Sequence, residues 1–264
     1  MFRIRKSIHL HPIYKAKKKS KAAQEVLDKL NAFLDATEPE PVYFLTRLWN
    51  DQQQAITYKE LREAILNGYI DVKTIQAWQN DYANFVNEHL KPLWIEAMQA
   101  ANADLMAAHP DYFFDPMSQG VLKWINEHGA QWVTVIAEEQ KEAISAMLQH
   151  AYSGAFSVDE LARAIRPTIG LTKVQAKANL NYYQHVKKTL LENNPGMKES
   201  TAQKKAQEAA AKYAAKQHRQ RAFTIATTEM AFAYNKGADE GIKQAQEQNL
   251  IGKVVKVWST AADE

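Results

Sequence analysis

Small or flexible residues recur along one side of a helix that the C-terminal part of the sequence predicts. They are spaced three or four positions apart, which places them on one helical face: Ala222, Ala226, Met230, Ala233, Gly237, Gly241 and Ala245. A glycine inside a helix costs about 1 kcal/mol relative to alanine, so two glycines on this face call for a compensating contact. We therefore expect another helix or stretch of backbone to lie directly against it.

Glu229 borders this face, three residues after Ala226 and four before Ala233. A carboxylate at the edge of a helix interface needs a cation or backbone N–H groups as partners, because burial of an unpaired charge is costly. Isolated carboxylates in such positions are mostly satisfied locally and are not catalytic. We interpret Glu229 as a structural residue.

The sequence pattern changes after Gly252. Residues 253–260 are rich in β-branched and aromatic side chains with lysines between them, which predicts a half-buried strand or one arm of a hairpin. No candidate partner strand follows before Glu264. We expect this strand to pair with an earlier segment or with another chain, or to be the edge of a domain that continued further.

Three runs in this part of the chain follow the order and spacing of one known family. They are Ile225-Ala226-Thr227-Thr228-Glu229, Ala233-Tyr234-Asn235-Lys236-Gly237 and Lys256-Val257-Trp258-Ser259-Thr260-Ala261-Ala262-Asp263-Glu264. On these runs, and on a related stretch at residues 169–182, the chain resembles the phage Mu F-like minor head proteins, also called head morphogenesis proteins. The resemblance covers about residues 154–264.

The resemblance implies a structural protein of the virion that joins the capsid in few copies and meets the portal vertex during assembly in the host bacterial cytoplasm. It implies a role in DNA packaging or ejection, with the portal protein and other capsid proteins as partners. The family-motif residues are Ala226, Glu229, Ala233, Asn235, Gly237, Trp258 and Asp263.

The chain departs from the family pattern in two places. The family usually has Arg where Thr227 stands, and it commonly continues past Asp263 and Glu264 with a segment that bears Cys and His. We expect any function of that segment to be absent from this chain.

The composition excludes several kinds of chemistry. The 264 residues are 46% hydrophobic and 24% charged, which suits one large or two modest globular domains. The absence of cysteine removes disulfides, thiolate nucleophiles and Cys-based zinc sites. No apolar run is long enough for a membrane span, and the N-terminus lacks the hydrophobic region of a signal peptide. We predict no membrane contact, no cofactor and no metal. His9 and His11 could both point to one side of an extended segment, but no carboxylate lies near them in the sequence to complete a metal site.

Basic residues dominate the start of the chain before the first acidic residue, Glu25. They are Arg3, Arg5, Lys6, Lys15, Lys17, Lys18, Lys19 and Lys21. The net charge of +3 is too small to indicate nucleic-acid binding by itself. Two interpretations stay open: a solvated tail that leads into a helix, or an arm that contacts DNA phosphates or an acidic partner with steep salt dependence.

Helix signals dominate the remainder. Capping boxes of the form Ser/Thr-x-x-Glu/Gln predict helix starts at four places: Thr57 with Glu60, Ser157 with Glu160, Thr172 with Gln175, and Ser200 with Gln203. Asp71 is expected to cap a long amphipathic helix, and Pro39 and Pro41 are expected to keep residues 37–41 extended.

We predict a mainly α protein with a multi-helix N-terminal region and a helical C-terminal module that ends in a short β element. The predicted divisions are a basic arm at residues 1–21, a helical domain at 22–153 and a Mu F-like domain at 154–264, with Gly154 at the boundary. The pattern of residues 159–176 superficially matches a helix-turn-helix, but its turn is longer than that motif requires. We attribute Leu161, Ile165, Val174 and Leu180 to ordinary helix packing.

Two functional alternatives stay open beside the minor head protein. The first is an enzyme of the toxin or ADP-ribosyltransferase type, because proteins that resemble this family carry such modules. The second is a non-specific DNA-binding protein that acts through the basic arm. The sequence contains no phosphate-binding loop, nucleophile elbow or HExxH spacing, so we predict no catalytic residues. A pocket that joins Glu229 to several polar groups would favour the enzyme, and a dry helix interface would count against it.

Overall fold

The computed structural model describes residues 21–37, 39–149 and 156–254. Its longer helices are α1 (Lys21–Thr37), α2 (Pro39–Ala55), α3 (Tyr58–Asn67), α4 (Val72–Phe85), α5 (Lys91–Ala101), α6 (Ala103–Ala108), α7 (Gln119–Gln149), α8 (Val158–Ile165), α9 (Lys173–Asn193) and α10 (Glu199–Glu247). A π-helical turn, Val86–Leu90, joins α4 to α5, and a 3₁₀ turn, Arg166–Thr168, follows α8. The predicted mainly α class is confirmed.

The predicted β element does not appear in the part of the chain that the structure describes. Lys253 and Val254 are irregular there, and the rest of the predicted strand, with Trp258 and Asp263, lies outside the described residues. Of the helices within residues 21–149 and 156–254, none is long and apolar enough to cross a membrane.

Helix α10 is the central element of the fold. Its most extensive contacts are with α5 and α9, and it also packs against α2. Its sequence is rich in Ala, Lys and Gln, which have high helix propensity. This propensity supports a helix that is too long for any one packing contact to stabilise along its whole length. Four alanines on its N-terminal half are buried: Ala202, Ala206, Ala210 and Ala214.

Buried apolar side chains on both sides of Gly154 belong to one cluster. The cluster includes Trp49, Trp94 and Tyr82 from the first half and Leu161 and Met230 from the second. Residue 154 itself lies outside the described residues, and the division there stays a prediction.

Two of the four predicted capping boxes are complete. The Glu60 N–H donates to Thr57 Oγ1 over 3.2 Å while the Thr57 N–H donates to Glu60 Oε2 over 2.7 Å, and Thr172 pairs with Gln175 in the same way. Ser157 forms half of a box: it accepts from the Glu160 N–H at 3.2 Å. The Glu160 carboxylate instead accepts from the hydroxyl of Tyr183 at 2.5 Å.

Three local predictions are wrong, and a fourth is right in position only. Helix α10 starts at Glu199 with Lys198 as its N-cap, so Ser200 lies inside it. Asp71 is the N-cap residue of α4, as predicted, but its side chain makes no capping hydrogen bond. Pro39 and Pro41 are not extended but form the first turn of α2, where the missing proline N–H has no helical partner to lose. Val174, assigned to packing, is exposed because it faces outward from the first turn of α9.

Candidate functional site

The small-residue face of α10 lies directly against α5, as expected. A Cβ atom on Gly237 would overlap the backbone of Met98, and one on Gly241 would overlap the side chain of Asn102. The Asn102 amide donates to the Gly237 carbonyl over 2.9 Å and to the Met98 carbonyl over 2.8 Å. Side chains larger than a hydrogen atom would therefore push the two helices apart at this crossing. Ala226 and Ala233 on the same face are also buried.

The connector between α6 and α7 is bonded to the same part of α10. The Tyr112 hydroxyl donates to the Gly241 carbonyl over 3.1 Å. The Gln244 amide accepts from the Asp115 N–H at 2.7 Å and donates to the Asp115 carbonyl and to Ser118 Oγ, both over 3.0 Å. These bonds satisfy polar groups that the close helix crossing would otherwise bury unpaired.

Glu229 pairs with a histidine from α7. His128 Nε2 and Glu229 Oε2 are 2.6 Å apart, and Glu229 is only 6% exposed. The imidazole ring stacks on Trp124, with ring centroids 4.5 Å apart and an angle of 12° between the planes. His128 also makes an edge-to-face contact with Trp94, with ring centroids 5.1 Å apart. The partner of Glu229 is thus an imidazole ring that contacts two indoles.

Glu229, His128 and Trp124 are part of the lining of an open depression of about 420 Å³, which we call the aromatic groove. Its lining consists of Trp124, His128, Gln131, Trp132, Val135, Glu229 and Phe232. Phe232 is 53% exposed at the rim. Apart from Glu229, the polar side chains of the lining are His128 and Gln131. The environment of Glu229 is therefore neither a dry helix interface nor a pocket with many polar groups.

The second oxygen of Glu229 has no hydrogen-bond partner among the described residues. The contact with His128 is the one hydrogen bond and the one ion pair that Glu229 makes in this part of the chain. A carboxylate has room for about four hydrogen bonds. The groove therefore has an acceptor with unused capacity beside its aromatic walls.

A second buried charge on α10 has a different environment. Arg221, 5% exposed, donates to the Gly170 carbonyl over 2.5 Å, bonds to the Glu139 carboxylate and lies over the ring of Trp49 at 5.2 Å. The Trp49 indole donates to the Tyr82 hydroxyl over 3.0 Å. Burial lowers the pKa of Arg221 and raises that of Tyr82. These contacts join α2, α4, α7 and α10 to the turn that follows α8.

His218 lies one helical turn before Arg221. Its Nε2 is 2.8 Å from the Ile169 carbonyl, and its ring is inclined against Trp49 with centroids 5.4 Å apart. Burial, with a smaller effect from the positive charge of Arg221, lowers the pKa of His218 to about 4. The ring is therefore neutral at physiological pH and donates a hydrogen bond to the carbonyl.

The remaining predicted site residues are not brought into one place. Asn235 is exposed, and its amide donates to the Ala231 carbonyl of its own helix over 2.8 Å. Trp258, Asp263 and most of the basic arm lie outside the described residues, as do His9 and His11; the arm residues in question are Arg3, Arg5, Lys6, Lys15, Lys17, Lys18 and Lys19. Lys21 is the exposed first residue of α1.

His128 and Arg221 are the functional candidates that the sequence did not single out. For His128 there was a local signal, since Trp124 and His128 are four residues apart and share a helical face. Within residues 21–149 and 156–254, no group of three or more His, Asp or Glu side chains could hold a metal ion. No family model matches the chain, and no curated protein or solved structure matches it.

Proposed function

We propose that this chain is a phage minor head protein of the Mu F-like type that acts in head morphogenesis at the portal vertex. One observation carries the proposal. The two runs of residues at 225–229 and 233–237, on which the resemblance to that family depends, lie in one helix whose small face organises the surrounding bundle. A sequence motif whose residues pack helices together suits a structural protein that functions by binding other proteins.

In this proposal the chain binds the portal protein and other capsid proteins and influences DNA packaging or ejection. Helix α10 organises the C-terminal module, and its contacts with α5 join that module to the N-terminal helices. Two segments are assigned to partners: the predicted strand at residues 253–260, with Trp258 as its anchor, and the basic arm at residues 1–21. The arm contacts DNA phosphates or an acidic protein surface, and the protein resides in the virion after assembly in the bacterial cytoplasm.

Co-purification with the portal protein tests the proposal. The full chain, tagged, is co-expressed with the portal protein from the same genome, captured at moderate salt and analysed by size-exclusion chromatography. We expect a stable complex that elutes ahead of either protein alone. A variant with residues 1–21 deleted shows whether the arm contributes. A variant in which eight exposed lysines outside the arm are changed to glutamine is the charge-matched control, because the arm contains eight basic residues. Separate elution of the two full-length proteins at moderate salt would contradict the proposal.

Two further measurements separate the proposal from its alternatives. A non-specific DNA-binding protein shifts duplex DNA in a gel, and the shift disappears when residues 1–21 are removed. An enzyme of the ADP-ribosyltransferase type consumes NAD⁺ in the absence of any capsid protein. We expect the purified chain to bind the portal protein without consuming NAD⁺.

A further inference from the structure

The aromatic groove combines two features that together recognise positive charge. Its walls contain the rings of Trp124, Trp132 and Phe232, and Glu229 contributes a carboxylate to its lining. Aromatic rings attract cations to their faces, because the π-electrons give each face partial negative charge. A carboxylate in the same depression adds charge complementarity where water is partly excluded.

The pairing of Glu229 favours an incoming cation. Among the described residues no Lys or Arg forms an ion pair with Glu229, which meets only His128. The salt bridges elsewhere on the same helix differ, because Glu240 pairs with both Lys236 and Lys243. At 6% exposure Glu229 has lost most of its hydration. A ligand with N–H donors would restore hydrogen bonds to a carboxylate oxygen that has none from the described residues.

The form of the groove suits a side chain that enters from another protein. Its volume of about 420 Å³ falls within the usual range of small-ligand pockets, about 300–1,000 Å³. Its rim is apolar and open, since Phe232 and Val135 are both about half exposed. Pockets that take up a Trp, Tyr or Arg side chain are typical of the centres of protein interfaces.

We propose that the aromatic groove is a receptor for an arginine or lysine side chain of a partner protein. The alkyl stem lies against Phe232 and Val135, the cationic head lies against the indole rings, and its N–H groups donate to the free oxygen of Glu229. His128 holds the carboxylate by its other oxygen and is itself held by the stack on Trp124. The proposal does not depend on the phage function, because it concerns the chemistry of one groove.

Titration of the full chain by NMR tests the receptor. The probes are N-acetyl-arginine methylamide and N-acetyl-lysine methylamide, and N-acetyl-citrulline methylamide is the neutral isostere. The indole N–H signals of Trp124 and Trp132 are assigned through single Trp→Phe variants. We expect saturable shifts of these signals with dissociation constants on the order of 1–10 mM for the cations, and at least about fivefold weaker binding of citrulline.

Two variants and a matched control locate the binding. Glu229→Gln keeps the shape of the side chain and removes its charge, so we expect affinity for the arginine probe to fall at least about fivefold. Phe232→Ala removes an exposed wall and is expected to weaken binding about threefold. Phe223→Ala is the control, because Phe223 is 47% exposed on the same helix but is not part of the groove. We expect no change in affinity there.

If the groove binds a side chain of a partner protein and not a free cation, a second prediction follows. A five-residue alanine peptide with a central arginine is expected to bind at least about threefold more tightly than the blocked amino acid, since flanking backbone contacts the apolar rim. Equal affinity for peptide and amino acid would overturn the assignment to a partner protein. Equal binding of arginine and citrulline, or unchanged binding by Glu229→Gln, would overturn the receptor itself. If Glu229→Gln did not fold, the difference in affinity for the arginine probe between Phe232→Ala and Phe223→Ala would decide the same question.

Discussion

Arg221 and Glu229 are charged residues two helical turns apart on α10, and both are almost completely buried. Arg221 contacts a carbonyl, a carboxylate and an indole ring, whereas Glu229 has one hydrogen-bond partner, an imidazole, among the described residues. Burial alone therefore does not distinguish a structural charge from an available one. The number of partners does, because protein groups replace the lost water at Arg221, whereas one oxygen of Glu229 has no partner among the described residues.

The largest loss of stability is expected from a substitution at Gly170, whose carbonyl accepts a hydrogen bond from Arg221. Gly170 has a φ of +89°, and a Cβ atom there would lie 2.6 Å from Cδ1 of Trp49. Gly170→Ala combines an unfavourable backbone conformation with an overlap, so we expect the free energy of unfolding to fall by about 4 kcal/mol. Urea unfolding followed by circular dichroism measures this change.

Gly196→Ala is the control for that substitution. Nothing lies within 4 Å of a Cβ atom on Gly196. We expect its free energy of unfolding to stay within about 0.5 kcal/mol of the wild type. Similar values for the two alanine variants would show that the turn after α8 adapts freely and does not fix the position of Arg221.

The Arg221 region should also respond to acid through His218. The pKa of His218 is lowered from 6.5 to about 4 in the folded chain, so the unfolded chain binds a proton at a pH where the folded chain does not. Stability that is complete above pH 6.5 is therefore lost as the pH falls toward 4, by about 3 kcal/mol in total. Unfolding free energies of the wild type and His218→Gln, measured between pH 7 and 4, give the contribution of this residue.

His185→Gln is the matched control in the acid series, because His185 is an exposed histidine of α9. Its pH dependence should follow the wild type. A His218→Gln protein that lost stability with acid as steeply as the wild type would contradict the assignment to His218.

The sequence predicts those parts of the fold in which the interacting residues are close together in the chain. In the capping boxes at Thr57 and Thr172 the members are three residues apart, so one turn of backbone brings them together. The small face of α10 indicated a close helix neighbour, because glycine spacing is also local. It did not indicate α5, since many helices could have filled the same role. At Pro39 the local rule failed, because a helix start requires no N–H from its first residue.

The candidate site could not be assembled from the sequence because its members come from distant segments. Glu229 and His128 are about a hundred residues apart, and Arg221, Gly170 and Trp49 come from three separate regions. No periodicity connects such residues, since they meet only after α7 and α10 pack together. The prediction that Glu229 needs a partner followed from the cost of burying its charge, but the identity of that partner depends on the tertiary fold.

A direct test of the structural role of Arg221 is the substitution Arg221→Met. Methionine preserves the unbranched stem but leaves the Gly170 carbonyl without its donor and removes the ring contact with Trp49. Glu139 is about half exposed and can regain water, so we expect a loss of about 2 kcal/mol in the free energy of unfolding, less than the ~3–5 kcal/mol for breaking a pair in which both partners are buried. Arg219→Met, at an exposed position on the same helix, should change the value by less than about 0.5 kcal/mol.

The smallest effect on stability is expected at Glu229, and it separates the roles of Glu229 and Arg221 most clearly. In Glu229→Gln the amide oxygen still accepts from His128, while the buried charge is removed and no other described residue loses a partner. We expect the free energy of unfolding to change by less than about 1 kcal/mol, because the lost ion pair is offset by the smaller desolvation cost of the amide. Urea unfolding beside Arg221→Met makes the measurement. Equal losses in the two variants would mean that Glu229 is as structural as Arg221. An unchanged or raised stability would mean that the charge of Glu229 does not stabilise the fold and instead serves the binding of a ligand in the groove.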